Sequence, residues 1–318
     1  MKKRIVFIGF ILSVFLLFLS CTTTPWSKKH PPEPAPVSTV SDKPLLVKTE
    51  WLAENINTSK LRVIDYGRKV EDYQTGHILG AVFVDRKSVW DEVNDIAGML
   101  PSVETMLDTL EKAGISNANT VVIYDDMRGL WASRLFWALE YLGHEDVHIL
   151  NGGWNKWVQE GHPVQTEAPV VSRSDFVSHI QPRLLATKGW ILKNLKYPSM
   201  QIIDTRSPKE YIGEDVRSAH GGHIPGAVNL NWIHNLTEGN SKTFLPEDGL
   251  AIMYESEKIS KEKQVVTYCQ TGVRGAHTYF VLRLLGYPDV RVYDGSWAEW
   301  GNDPGLLKIT GTENSLKQ

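Results

Sequence analysis

The chain is short of cysteine: its 318 residues hold two, Cys21 and Cys269. They make no disulfide framework, although one bridge between them stays open as an option in an oxidising compartment. Charge of one sign is equally scarce, with a formal net charge of -3. That gives no sign of a polybasic membrane surface or of a nucleic-acid partner, so any anion site has to be local. Long apolar runs are absent apart from one at the N-terminus, residues 5–19. What is present is ordinary globular composition, 42% hydrophobic and 22% charged. The length suits about two domains, each able to bury a core without metal or disulfide staples.

The single apolar run reads as an export signal. Met1-Lys-Lys-Arg4 supplies a basic start, and Ile5 to Leu19 follows with only Gly9 and Ser13 as weak interruptions. The run is shorter than the roughly 20 residues of a membrane span. Behind it, Leu17-Phe-Leu-Ser-Cys21 resembles the bacterial lipobox, whose cysteine thiol is diacylated and becomes the new N-terminus; Phe18 and Leu19 depart from that pattern. Secretory cleavage near Ser20 and an uncleaved anchor are the alternatives. The expectation is an exported lipoprotein, lipidated at Cys21, membrane-anchored and facing the periplasm or the cell surface. In a double-membraned bacterium Thr22 gives no aspartate-type retention signal, which favours the outer membrane. Pro25, Pro31, Pro32, Pro34 and Pro36 make residues 22–44 an extended polar tether.

Comparing the chain with itself is more informative than any one segment. Leu61-Arg-Val-Ile-Asp65 returns as Gln201-Ile-Ile-Asp204, and Gly76-His-Ile-Leu-Gly-Ala-Val82 as Gly222-His-Ile-Pro-Gly-Ala-Val228. Val121-Val-Ile-Tyr124-Asp125 pairs with Val265-Val-Thr-Tyr268-Cys269, and Asn151-Gly-Gly-Trp154 with Asp294-Gly-Ser-Trp297. The blocks keep their order at an offset of 139 to 146 residues, so the chain is a duplicated domain. Each copy alternates short β-branched runs with helical stretches, the pattern of an α/β fold with a parallel sheet flanked by helices. The boundaries read as signal 1–21, tether 22–44, first copy 45–160, linker 161–182, second copy 183–309 and tail 310–318.

Chemistry gathers at Cys269. It follows a strand, and the four-residue spacing of Ala276, Phe280 and Leu284 starts a helix just behind it, with Gly286 as a stop. Unpaired amides at a helix N-terminus favour negative charge, which should move a cysteine there towards its thiolate. Gly272 and Gly275 let the turn curl so that several amides converge, and Arg274 adds a fixed positive charge. The alternative is a buried structural cysteine. A phosphatase-type loop needs one residue more than the four, Gln270 to Val273, that separate Cys269 from Arg274.

These features together resemble the rhodanese family: the repeat, Cys269-x-x-Gly-x-Arg274, Asp204-Thr-Arg206-Ser-x-x-Glu210-Tyr211, Gly-His-Ile-Pro-Gly-Ala and the closing Asp-Gly-Ser-Trp297. The resemblance spans roughly residues 45 to 305. It implies two tandem rhodanese-like domains, the second catalytic and the first silent, in agreement with Asp125 standing where the first copy would carry cysteine. It also implies a thiosulfate sulfurtransferase that works through a Cys269 persulfide and passes sulfur to cyanide or a thiol, with no cofactor or metal. Gln270, Thr271, Gly272, Val273 and Gly275 would bind the donor with Arg274, and Arg217 or His220 could add to them or lie in an exposed loop. Arg274 favours thiosulfate over 3-mercaptopyruvate, whose enzymes carry a hydroxyl there. Thr271 and Glu210, where vertebrate-type tandem members carry cations, weigh against tight thiosulfate binding. A persulfide carrier serving a partner protein is a further alternative. Arg206 is expected to pair with a carboxylate, and His77 and His223, present in both copies, to be structural. Trp131 and Arg134 either face the cleft between domains or pack ordinarily.

Overall fold

The computed structural model describes residues 44–239 and 242–312. The expected signal, Cys21, nearly all of the tether and the end of the tail lie outside these residues. Two five-stranded parallel sheets are built in the same order from the two copies. The first runs Leu46–Val47, Val147–Leu150, Thr120–Tyr124, Leu61–Tyr66, Val82–Val84. The second runs Leu185–Ala186, Val290–Tyr293, Gln264–Tyr268, Met200–Asp204, Ala227–Asn229. The β-branched runs sit in the middle of each sheet because helices cover both faces: Val121 to Tyr124 are fully buried, as are Val265, Val266 and Tyr268.

The halves meet through one helix from each, Leu130–Leu142 and Val273–Leu284. Both are buried on nearly every side, polar residues included. Phe136 and Phe280 meet edge to face at 4.9 Å, inside a core cluster that runs through both copies. Glu140 crosses the same junction, accepting from the Tyr279 hydroxyl at 2.6 Å and pairing with Arg283 at 2.9 Å. The segment 161–182 is fastened along the first copy. Val164–Gln165 pairs antiparallel with His77–Ile78. The amides of Ser174, His179 and Gln181 donate to the carbonyls of Glu111, Leu142 and Tyr141. Among the described residues no helix is long and apolar enough to cross a membrane.

The two histidines common to both copies are structural in the same way. His77 stacks on Tyr73 at 3.8 Å and bonds its carbonyl through Nδ1 at 2.8 Å. His223 does likewise with Tyr211, at 3.6 Å and 2.8 Å. Arg206 pairs with Asp204 at 2.6 Å, and Arg68 pairs with Asp65 at 2.8 Å in the first copy.

Candidate active site

In an open parallel sheet, the loops beyond the carboxyl ends of the strands are where ligands bind. Cys269 occupies that place, one residue past the strand Gln264–Tyr268, and its residue is 1% exposed. Gly272 caps the helix behind it with a left-handed φ of 78°, and Gly129 caps the matching helix in the first copy with the same φ. The Cys269 amide donates to Ser296 Oγ at 3.2 Å, and that hydroxyl donates on to the Tyr293 carbonyl at 2.7 Å. Ser296 holds a φ of 49°, strained for a residue with a side chain. The first copy has Gly153 at this point.

The first copy shows what such a turn can hold. The Asp125 carboxylate, buried, accepts four backbone N–H groups: Met127 and Gly129 on Oδ1 at 2.9 and 2.8 Å, Trp131 and Ala132 on Oδ2 at 2.8 and 3.0 Å. Burial pushes its carboxyl up to about 6 against the pull of those amides, which favour the charged form. In the second copy the turn is one residue shorter. Aligned on the capping glycines, Gly272, Arg274 and Gly275 correspond to Gly129, Trp131 and Ala132. Among the described residues, the amides of Gln270, Thr271, Gly272, Arg274 and Gly275 donate to no protein oxygen or nitrogen. Gly275 packs closely, since a Cβ there would lie 3.2 Å from the Tyr268 Cα, although the first copy carries Ala132 at the matching position.

The remaining loop side chains have other work. Gln270 sends its amide nitrogen to the Arg217 carbonyl at 3.2 Å and to Ser218 Oγ at 3.0 Å, which holds the 214–220 segment against the loop. Val273 is buried in the first helical turn. Thr271 abuts the first copy: a Cβ on Gly98 would stand 2.5 Å from the Thr271 carbonyl oxygen.

Arg274 departs from expectation, because its guanidinium is not free. Nη1 and Nη2 donate to Glu210 at 2.7 and 2.9 Å. Burial works against the Arg274 charge, but Glu210 and the neighbouring Cys269 sulfur outweigh it and keep the cation. Burial likewise pushes the Glu210 carboxyl up, and the Arg274 guanidinium and Ser207 overcome this to leave it at about 2. Arg217 is half exposed and turned to Asp215 at 2.7 Å, with Glu210 at 3.7 Å. His220 faces the Gly301 carbonyl through Nδ1 at 3.1 Å.

Arg134 does cross between the copies. Wholly buried, it reaches Asp294 of the second copy at 2.7 Å and donates to the Val89 and Gly98 carbonyls of its own. A Cβ on Gly272 would touch Arg134 Nη1 at 2.8 Å, so this guanidinium lies directly under the Cys269 turn. Trp131 packs edge-on to Tyr66 and Trp90 beneath Arg86. Sequence reasoning missed Glu210 as the partner of Arg274, Asp294 as the partner of Arg134, and Ser296 as the anchor of the Cys269 amide. The Ser207-x-x-Glu210 capping pattern is visible in the sequence, but nothing local marks the arginine that it meets.

Comparison with known proteins bears on what the turn does. The family model described as Rhodanese-like domain matches residues 48–160 and again 187–303. Sulfur carrier protein TtuD of Thermus thermophilus is 38% identical over 283 residues, covering 85% of this chain and 98% of that protein. Thiosulfate sulfurtransferase of Pseudomonas aeruginosa is 34% identical over 270 residues, covering 84% and 98%. The Bos taurus thiosulfate sulfurtransferase is 36% identical over 273 residues, covering 80% and 91%. Among solved structures, a persulfide form of EanB with ergothioneine superposes with a TM-score of 0.77 at 26% identity, covering 85% of this chain and 71% of that one.

Proposed function

Because the chain belongs to the rhodanese family, as two rhodanese-like domains in tandem, we propose that it takes sulfane sulfur from thiosulfate onto Cys269 and passes it to a thiophilic acceptor. Cys269 Sγ, as thiolate, attacks the outer sulfur of thiosulfate. The S–S bond of the donor breaks, sulfite leaves with the electron pair, and a Cys269 persulfide anion remains. Cyanide or a thiol then attacks the outer sulfur and releases the thiolate, giving ping-pong kinetics.

The observation that carries this reading is the Asp125 carboxylate and its four amide donors. A turn of this shape gathers amides onto a buried anion, and the Cys269 turn keeps the corresponding amides without acceptors. A persulfide anion would receive the amides of Gly272, Arg274 and Gly275, preorganised donors of the kind that stabilise charge as it develops. Ser296 and the buried Arg134–Asp294 pair hold the turn in place from behind.

Thiocyanate formation from thiosulfate and from 3-mercaptopyruvate, measured side by side on the wild type and on Cys269→Ser, tests this. Wild type is expected to turn over thiosulfate and Cys269→Ser neither donor. Equal activity of the two proteins with either donor would refute the nucleophile assignment, and exclusive use of 3-mercaptopyruvate would replace the donor. A persulfide carrier is a second reading, favoured by the similarity to the protein named sulfur carrier protein TtuD; it predicts a loaded Cys269 with slow release to cyanide. We also propose anchoring through a lipidated Cys21, on the lipobox-like Leu17-Phe-Leu-Ser-Cys21. Detection of acyl chains on the N-terminal peptide would support it, and an unmodified free Cys21 in the exported protein would overturn it.

A further inference from the structure

The charges around the Cys269 turn come in matched pairs. Arg274 faces Glu210, Arg217 faces Asp215, and Arg134 faces Asp294. Glu210 is the pivot of this arrangement, buried and fixed by its own turn before it meets any arginine. It closes a capping box, accepting from the Ser207 amide at 3.1 Å and from Ser207 Oγ at 3.0 Å. From there it takes both terminal nitrogens of Arg274 and lies 3.7 Å from Arg217. The side chains around the turn therefore sum to no excess positive charge, leaving the amides to hold the donor. A donor approaching the thiolate meets repulsion from that thiolate in proportion to its own charge, and Glu210 cancels the attraction that Arg274 would otherwise offer it.

We propose that Glu210 is a specificity-determining residue, which ranks singly charged sulfur donors such as a thiosulfonate or an alkyl persulfide ahead of doubly charged thiosulfate at Cys269. This rests on the reading of Cys269 as the sulfur-accepting nucleophile. Methanethiosulfonate is the probe, because it replaces one charged oxygen of thiosulfate with a methyl group and leaves the sulfane sulfur alike. The thiolate attacks that sulfur, the S–S bond breaks, and methanesulfinate departs with the electron pair in place of sulfite.

The experiment compares kcat/KM for the two donors, with cyanide as acceptor, in wild type and Glu210→Gln. Glutamine keeps an oxygen for the Ser207 bonds and removes the charge, losing the Arg274 Nη2 bond. The ratio of thiosulfate to methanethiosulfonate is expected to rise about tenfold in Glu210→Gln, mainly through a lower KM for thiosulfate. An unchanged ratio in a folded, active variant overturns the proposal. Should the variant fail to fold, inhibition of the wild type decides, with inert sulfate and methanesulfonate compared at equal ionic strength. Methanesulfonate inhibiting at least as well as sulfate supports the proposal, and much stronger inhibition by sulfate overturns it. A wild type that forms thiocyanate from neither donor and acquires no sulfur on Cys269 would instead defeat the sulfur-transfer reading itself.

Discussion

Alanine at Gly272 should uncouple folding from chemistry, and the first copy supplies the control. Gly272 and Gly129 both cap their helices at a φ of 78°. Forcing an L side chain into that region costs about 1–2 kcal/mol at either place. At Gly272 the new Cβ would lie 2.8 Å from Arg134 Nη1 and 3.2 Å from the Asp294 carbonyl oxygen. Relieving that contact pushes a buried guanidinium off its carboxylate and adds about 1 kcal/mol. At Gly129 the Cβ would meet Cε2 and Cζ of Phe244, both at 2.9 Å, for a similar packing loss. Each variant is thus expected to lose about 2–3 kcal/mol, about 5 °C in Tm for a chain of this size. Their chemistry should differ. Gly272→Ala displaces the amides proposed to receive the persulfide and should slow persulfide formation about 100-fold. Gly129→Ala disturbs the turn around Asp125 and Phe244, which packs on His277 and Phe280, but it leaves the amides of the Cys269 turn in place and should load sulfur at close to the wild-type rate. Thermal melts and rapid-quench mass spectrometry read the two quantities separately. If folded Gly272→Ala loads sulfur as fast as Gly129→Ala, the amide cradle is not what stabilises the persulfide.

The other expectations concern single contacts. Glu210 sits at about 2 when folded against 4.5 as a free side chain, so its bond to Arg274 contributes fully above pH 4.5 and is lost as pH falls through 2. Urea denaturation at falling pH should show an acid loss of about 3 kcal/mol that Glu210→Gln lacks, and parallel curves would contradict the pairing. Ser296→Gly removes the acceptor of the Cys269 amide, about 1 kcal/mol, and releases left-handed strain of about the same size. Its Tm should therefore stay near wild type while sulfur loading slows; a wild-type loading rate would deny Ser296 any part in placing Cys269. Phe280→Ala opens a cavity against Phe136 at the junction of the copies and should cost about 3–5 kcal/mol. Both copies should then unfold in one shifted transition in calorimetry, and a shift confined to one of two separate transitions would show that the copies fold independently.

Much of the fold is legible because duplication writes the same signals twice. Tyr124-Asp125 and Tyr268-Cys269 mark one strand end in two copies, and the pairing singles out Cys269. The β-branched runs announce buried parallel strands, and the glycine-rich turn announces the helix that begins at Val273. The partners inside the site are not legible, since they depend on how separate loops meet. Glu210 and Arg274 are 64 residues apart, and only the neighbouring strands of the second sheet bring their loops together. Arg134 reads as one more residue of an apolar helix; its contact with Asp294 requires the junction between copies. Arg274 was legible as a cation near the cysteine, but not as one already engaged. The segment 161–182 reads as a linker from its prolines, because backbone bonds to the first copy leave no trace in side-chain pattern.

The central claim is that Cys269 carries the sulfur. Intact mass and peptide mapping of the full chain after exposure to thiosulfate test it most directly. The account predicts one added sulfur atom on the peptide containing Cys269, removed by cyanide as thiocyanate and absent from Cys269→Ser. A protein that forms thiocyanate while Cys269 never gains sulfur, or that gains it equally in Cys269→Ser, would contradict the account.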